Sequence, residues 1–557
     1  MLLSLSAVPS VHAQTATDAA RQGERIQRQQ QERIEQERQR RLEQQPRTNL
    51  QPPAPPTPPA AAPGQPCQDI RTIHLSGASL LSEADRKALL TPYLNRCLAV
   101  ADIERLMSDI TGEYIRRGYI ATRTYVRAQD LSKGVLTILV VQGEVEKIEL
   151  RDGWRHSVNL ATAFPGVVGD PLNLRDFEQG LDQINRLQSN HARLDMKPGG
   201  DAGNSVVVIH NQPSRRVHAG LNYDNYGSDA TGKQQAGVNL SLDNPLHLND
   251  NLYLSYLSTF GYEFDSRHSR SRSLFYSVPF GYFTVSAAWS RSDYATSVNL
   301  PSTTLIADGN QENASLSTEY IAYRDAINRV AIVGTLASQR SRNYLADQLL
   351  DVSSRRLSTF DLGVSWSTAL AGGAVSSHLN HAWGLTIFDA LDDPTGLPNN
   401  APRAQFRKWT AGVGWQRSFR VAHRRVSFQS RLEGQYAQDV LYGSEQFSIG
   451  GPYSVRGFRD STLAGDRGYY WRNDLALPVH VNWFEQSLSL RPYIAFDSGA
   501  TFSHYQQNGG HLTGASVGLD VYSRYVTVQL MGSRALSLPD DLDDEGFEFF
   551  ARVRVSI

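Results

Sequence analysis

The chain has 557 residues, with 55 Lys and Arg against 56 Asp and Glu, so its net charge is −1 and it carries no electrostatic footprint for nucleic acid. Mean hydropathy is −0.40, and no stretch reaches the roughly 18 consecutive apolar residues that a membrane-spanning helix needs. Spanning strands stay open, because each needs only about 10 residues and turns every second one to lipid.

At the N-terminus, Met1 to Pro9 is a short apolar run and Val11-His12-Ala13 fits the small-x-small pattern before a signal-peptidase cut, although a basic leader start is missing. This predicts an export leader over residues 1–13. From Asp18 to Gln45 the sequence is almost wholly Arg, Glu and Gln, with Glu24/Arg28, Arg28/Glu32 and Glu37/Arg41 four apart, which predicts a helix. Ile26, Ile34 and Leu42 recur every eight positions and drift around that helix, so it has no stripe for an oily core. Composition alone favours a solvated or disordered charged tail. Nine of the chain's 25 prolines fall in residues 46–66, which predicts an extended spacer.

Residues 67–142 read as a small α+β unit. A strand is expected at Ile70–Leu75, a helix opened by Ser82 with Asp85 three positions on, and a helix near Asp102–Arg117. Ile103, Leu106, Met107, Ile110 and Tyr114 share one face of the second helix, with Gly118 at its C-terminal cap. Strands are expected near Ala121–Val126 and Val135–Val141. Cys67 precedes the first strand and Cys97 lies between the helices, so one bridge stapling a small core and two free buried thiols are both open. Residues 143–213 repeat the order: a strand at Val145–Leu150, a short helix, a helix from Asn173, and strands near Ala192–Lys197 and Ser205–Asn211.

From about Arg216 the texture becomes alternating segments separated by Gly, Asn, Asp and Ser. In the last, Phe547, Phe549, Ala551, Val553, Val555 and Ile557 share one face, while Glu548, Arg552, Arg554 and Ser556 share the other. One apolar face per strand suits a closed barrel with lipid outside and water inside. At roughly 20 residues per strand and connection, this region holds about 16 strands.

Three chemical motifs fail on context. Gly227 to Lys233 matches a phosphate loop up to Lys233, but Gln234 follows it and no helix does. Gly514-Ala515-Ser516-Val517-Gly518 matches a nucleophile elbow, yet lies in an alternating strand pattern. The 14 histidines show no ligand spacing, so neither catalytic residues nor metal ligands are expected. The informative constellation is the Gly-rich segment from Ile449 to Asn473, centred on Val455-Arg456-Gly457-Phe458. Downstream, Leu488, Leu490, Pro492, Ile494 and Phe496 alternate with Ser487, Ser489, Arg491, Tyr493 and Asp497, which places Asp497 on the lumenal face. Arg456 is its natural partner across a reversible ion-paired latch. Pro492 suggests a bulge in its strand.

The Val-Arg-Gly-Phe loop, Gly465-Asp466-Arg467-Gly468, Arg472-Asn473 and Phe496-Asp497-Ser498-Gly499 resemble the Omp85 superfamily. Within it the chain resembles the two-partner-secretion transporters (TpsB proteins) of the haemolysin-secretion and contact-dependent-inhibition type. Arg96-Cys97-Leu98-Ala99-Val100-Ala101-Asp102-Ile103 and Gly118-Tyr119-Ile120 are similar to the first POTRA domain of haemolysin-type members.

The resemblance implies a mainly β protein. Its parts would be a plug helix over 14–45, a linker over 46–66, periplasmic α+β POTRA domains over 67–142 and 143–213, and a 16-stranded transmembrane β-barrel over 214–557. It also implies an inward-folded loop whose Arg456 meets Asp497 on a wall strand that includes Phe496 and Gly499. Strand addition of a secreted TpsA-type exoprotein is expected at the edge formed by Ala192, Arg193, Leu194, Asp195, Met196 and Lys197. Outer-membrane lipid and the barrel-assembly machinery are the other implied partners; no cofactor and no nucleic acid is. An Omp85-type barrel-assembly factor is the alternative function, and a porin or outer-membrane enzyme a third.

Overall fold

A computed structural model describes residues 9–43, 48–52, 54, 66–152, 157–200, 203–261, 266–301, 303–483, 486–505 and 509–557. Residues 1–8 of the expected leader and most of the expected linker lie outside the described residues.

The charged N-terminal segment forms one helix, Pro9–Glu43. The unit that follows is built as its signals dictate. Asp85 N–H donates to Ser82 Oγ, and the Asp85 carboxylate accepts from Ser82 N–H, a capping box that opens the helix Glu83–Leu90. The second helix, Val100–Arg116, closes before Gly118 at φ +98°. Leu106, Ile110 and Tyr114 from that helix meet Leu136, Ile138 and Val140 from the strand Val135–Val141 in one buried core. The expected first strand is two: Cys67–Ile70 pairs with Arg96–Ala99 as a separate ribbon, and Thr72–Ser76 enters the sheet. That ribbon brings Cys67 and Cys97 together in a disulfide with Cα atoms 5.3 Å apart.

The second unit repeats the topology. Thr72–Ser76 runs parallel to Val135–Val141, with Arg123–Tyr125 antiparallel on its far side. Val145–Asp152, Ser205–Asn211 and Arg193–Pro198 stand in the same relation. Helix Leu174–Asn185, capped by Asn173, packs Phe177, Leu181 and Ile184 onto Val207 and Ile209.

The remaining strands close into a barrel that begins at Val217–Asp224 and ends at Phe547–Ser556. Val479–Trp483 continues Arg467–Ala476 in unbroken register, and Gln348–Leu349 is a short flap, which leaves sixteen strands. Alternation decides which side faces lipid. Phe547 and Phe549 are exposed on the outside while Phe550 and Arg552 are buried within. The first and last strands pair only from Arg552↔Asp224 to Ser556↔Gly220. The bulge expected at Pro492 is absent. Tyr493 faces Ala476 and Leu490 faces Val479 in the same register, and Pro492 faces Leu519 on its other side. Pro492 and Pro478 lack donors, so the ladder thins there without an inserted residue.

The second unit is docked on the barrel's short-turn end. Gln179 and Gln183 donate to Gly281 C=O at 3.1 Å, and Arg186 donates to Asn249 C=O at 2.9 Å and to Ser277 C=O at 3.0 Å. Tyr282 donates to Asp176, whose carboxyl is raised above its ordinary value because it is buried.

Candidate functional site

The helix Pro9–Glu43 runs through the barrel lumen, where a polar surface on every side is matched by a polar wall. Glu24 pairs with Arg355 at 2.9 Å, Gln27 donates to Asn343 Oδ1 at 2.8 Å, and Asn313 donates to Gln31 at 2.7 Å. Arg33 reaches both Gln235 and Asp224. Gly23 is the close approach: a Cβ there would fall 2.1 Å from the Tyr294 hydroxyl. Of the three larger apolar residues, Ile26 is buried against this wall. Residues 44 and 45 of the expected plug lie outside the described residues.

The Gly-rich loop folds inward beside the helix. Arg456 Nε donates to Asp497 Oδ2 at 2.5 Å and Nη2 to Oδ1 at 2.6 Å, and the Arg456 N–H adds a third bond to the same carboxylate at 3.1 Å. Nη2 also reaches Asp474 Oδ1 at 2.6 Å. Arg456 is 2 % exposed and Asp497 1 %, so the fork is a fully desolvated charge pair held in one geometry. Its neighbours fix the backbone. Val455 and Phe458 are buried in a cluster with Ile449, Leu463, Leu512 and Ala535. Gly457 has φ +111°, and a Cβ on it would lie 2.6 Å from the Arg534 carbonyl, so this position accepts only glycine without displacing the loop. Gly499 backs Val455, with 3.1 Å from its ideal Cβ position to Val455 Cγ2. Phe496 shares the latch strand but not the latch, as the alternation requires. Its side chain is exposed on the outer face, one residue out of phase with Asp497, and its carbonyl accepts from the Asn473 side chain.

Several functional side chains were beyond sequence reasoning. Asp474 shares Arg456, and Arg459 ties the loop to the barrel seam. Arg459 donates to Glu548 at 2.7 Å and to the carbonyls of Asn225 and Gly227, and lies over the Phe550 ring. Asp224, wholly buried, accepts from Arg33 at 2.8 Å and from Arg552 at 3.1 Å, while Arg552 donates to the Tyr453 hydroxyl at 2.7 Å. Helix, first strand and last strand thus meet at one carboxylate, and the loop joins them through Tyr453 on Arg552. Arg25 adds a direct bond from the helix to Asp460 C=O in the loop. Charge alternation on the lumenal face flags Asp224 and Arg552 as inward, but not which residue each meets.

At the expected partner edge, the strand is Arg193–Pro198 and forms one margin of its sheet. Ala192 stands outside it: it is buried, and its backbone exchanges two bonds with the Asn185 amide. Leu194 and Met196 pack inward, Arg193, Asp195 and Lys197 are turned out, and Met196 N–H is taken by the Asp195 carboxylate at 2.9 Å. No group of His, Cys, Asp and Glu among the described residues has metal-ligand geometry.

A family model for haemolysin secretion/activation proteins ShlB/FhaC/HecB matches residues 203–521, and POTRA models match 68–143 (ShlB-type) and 144–198. The chain is 34% identical to the outer membrane transporter CdiB of Dickeya dadantii over 482 residues, covering 85% of this chain and 84% of that one. It is 33% identical to the haemolysin transporter protein HpmB of Proteus mirabilis, covering 83% and 81%. The solved structure of CdiB from Escherichia coli superposes with a TM-score of 0.85 at 31% identity, over 100% of both chains.

Proposed function

The chain belongs to the ShlB/FhaC/HecB haemolysin secretion/activation family, the outer-membrane transporters of two-partner secretion, and from that premise we propose how its parts divide the work. Its barrel stands in the outer membrane with the POTRA domains in the periplasm. Residues 67–142 and 143–213 receive a large TpsA-type exoprotein, unfolded or partly folded, and residues 214–557 conduct it to the surface. The incoming chain adds a strand at Arg193–Pro198. The helix then withdraws from the lumen and the Arg456–Asp497 latch parts. Folding of the exoprotein outside supplies direction, so no nucleotide or covalent step is required. Outer-membrane lipid surrounds the apolar outer face, and the barrel-assembly machinery inserts the barrel.

The observation that carries this reading is a lumen filled by one polar helix. Its hydrogen bonds and ion pairs can be exchanged for water at little net cost, whereas an apolar plug would be permanent. The test is co-expression of the chain with the large exoprotein of its neighbouring reading frame in a heterologous outer membrane. The exoprotein is expected in the medium only when the transporter is present. An exoprotein that stays periplasmic, with loss of other outer-membrane proteins on depletion of this chain, would instead make it a barrel-assembly factor.

Strand addition makes a narrower prediction. The Met196 N–H bonded to Asp195 faces away from Ser205–Asn211, toward the open edge. Met196→Pro removes that outward donor while sparing the inner ladder. Exoprotein binding, measured by surface plasmon resonance, should weaken about three- to tenfold, the loss of one main-chain bond plus the ring's bulk at the edge. Unchanged affinity would move recognition elsewhere.

A further inference from the structure

The segment leaving the lumenal helix is gripped at the periplasmic mouth. Thr48 N–H donates to Asp182 Oδ1 at 2.6 Å and Leu50 N–H to Glu178 Oε1 at 2.8 Å. Arg324, at the end of a barrel strand, donates to Thr48 C=O at 2.8 Å, and Asn49 donates to Ala326 C=O at 2.9 Å. Leu50 packs on the apolar core of the second POTRA domain. Main-chain bonds at alternate residues with one apolar anchor are the way an extended peptide of loosely specified sequence is held.

The receptor side is fully built. Arg324 pairs with Asp182 at 2.7 Å and Glu178 at 3.3 Å and donates to Gln179 Oε1 at 3.0 Å, while Arg175 pairs with Glu178 at 2.6 Å. The side chains of Arg324 and Arg175 are each 6 % exposed and that of Glu178 1 %. Two cations balance two carboxylates, so the charges remain compensated when the gripped strand leaves. Helix Leu174–Asn185, which carries both acids, is fixed to the barrel through Gln179 and Gln183, so the cradle stays at the mouth.

The grip also holds the helix. Glu43 and Thr48 are five residues apart, a reach of at most about 17 Å. The helix Pro9–Glu43 is about 50 Å long, and its end must travel about that far to clear the lumen. While Thr48 is held, the helix cannot withdraw.

We propose that this cradle of Arg324, Glu178 and Asp182 is a binding site for an extended polypeptide, occupied at rest by the chain's own residues 48–50. An unfolded segment of the exoprotein, with an aliphatic residue in the place of Leu50, displaces it and frees the helix. The identity of that occupant rests on the exporter reading above. The site lies on a helix, apart from the edge strand Arg193–Pro198, and it makes arrival of cargo the event that unlocks the pore.

The test uses the full-length transporter in nanodiscs and a fluorescein-labelled peptide of residues 46–52 as probe. A tethered occupant competes at an effective concentration in the millimolar range, so the wild type should bind the peptide at least about tenfold more weakly than a Thr48→Pro/Leu50→Asp variant whose own linker is loosened. Adding Arg324→Gln, or Asp182→Asn as a second variant, should abolish that gain; heat-modifiable mobility on gels certifies each barrel. Equal peptide binding by wild type and linker variant overturns the site. A peptide that binds the variant but is not displaced by the exoprotein's N-terminal secretion domain, while the wild type exports normally, overturns the exoprotein as occupant and leaves the exporter reading standing. Failure of the wild type to export its exoprotein overturns that reading, whatever the peptide does.

Discussion

Asp497→Ala is expected to cut export at least about tenfold while leaving a heat-modifiable barrel in the outer membrane. Asp497 accepts three of Arg456's bonds, and removing it leaves a desolvated guanidinium with Asp474 alone. Breaking one partner out of a buried pair costs about 3–5 kcal/mol, enough to unseat the loop but not a sixteen-stranded ladder. The strand itself is unaffected, because its main-chain pairs Asp497↔Arg472 and Asp497↔Gly514 do not involve the side chain. The loop is the structural hinge of the effect. It carries Tyr453, which meets Arg552 beside Asp224, and Asp460, whose carbonyl meets Arg25 of the lumenal helix. Arg456→Lys should fail nearly as badly, since an ammonium cannot make the two-pronged contact. Export is read as exoprotein in the medium against exoprotein in the periplasm. Wild-type export by Asp497→Ala would rule out the latch.

Deleting residues 18–45 is expected to raise single-channel conductance in planar bilayers several-fold, because a sixteen-stranded barrel without a plug encloses an aqueous channel. The helix is held through Arg33 to Asp224, Glu24 to Arg355 and Gln27 to Asn343, contacts that water can replace. The deletion leaves Asp224 paired with Arg552, while Arg355 loses Glu24 but stays stacked on Tyr442 and opens to the water that fills the lumen. The barrel should therefore assemble and shift normally on heating. A single substitution makes the same point, since any side chain at Gly23 collides with Tyr294 and should tilt the helix out of register. Unchanged conductance in the deletion would mean that the helix does not obstruct the pore.

What could be read along the chain depended on the reach of each signal. Caps and turns are local, so Ser82 with Asp85, Gly118 and Asn173 marked helix ends to within a residue or two. Period-two alternation is local as well, and it put Asp497 inside and Phe547 outside before any strand was paired. Pro492 shows where a local rule overreached. A missing donor need not force a bulge when the facing residues sit beside a second proline, Pro478, and the register passes through. Arg459 shows the other limit. Its partners are Asn225, just past the first strand, and Glu548 and Phe550 on the last, and these strands become neighbours only when the barrel closes.

The sequence by itself therefore determined the element types, the two faces of each alternating strand, the tandem α+β units and Arg456 as the natural partner of Asp497. Each of these follows from spacing within a few residues or from one charge needing another. Tertiary structure alone decided that the Arg- and Glu-rich segment is a lumenal helix and not a solvated tail. It also decided that Asp224 joins helix and seam, and that Thr48 and Leu50 are held against Glu178, Asp182 and Arg324. Those contacts join residues more than a hundred positions apart, and only closure of the barrel and docking of the second POTRA domain bring them within hydrogen-bond reach.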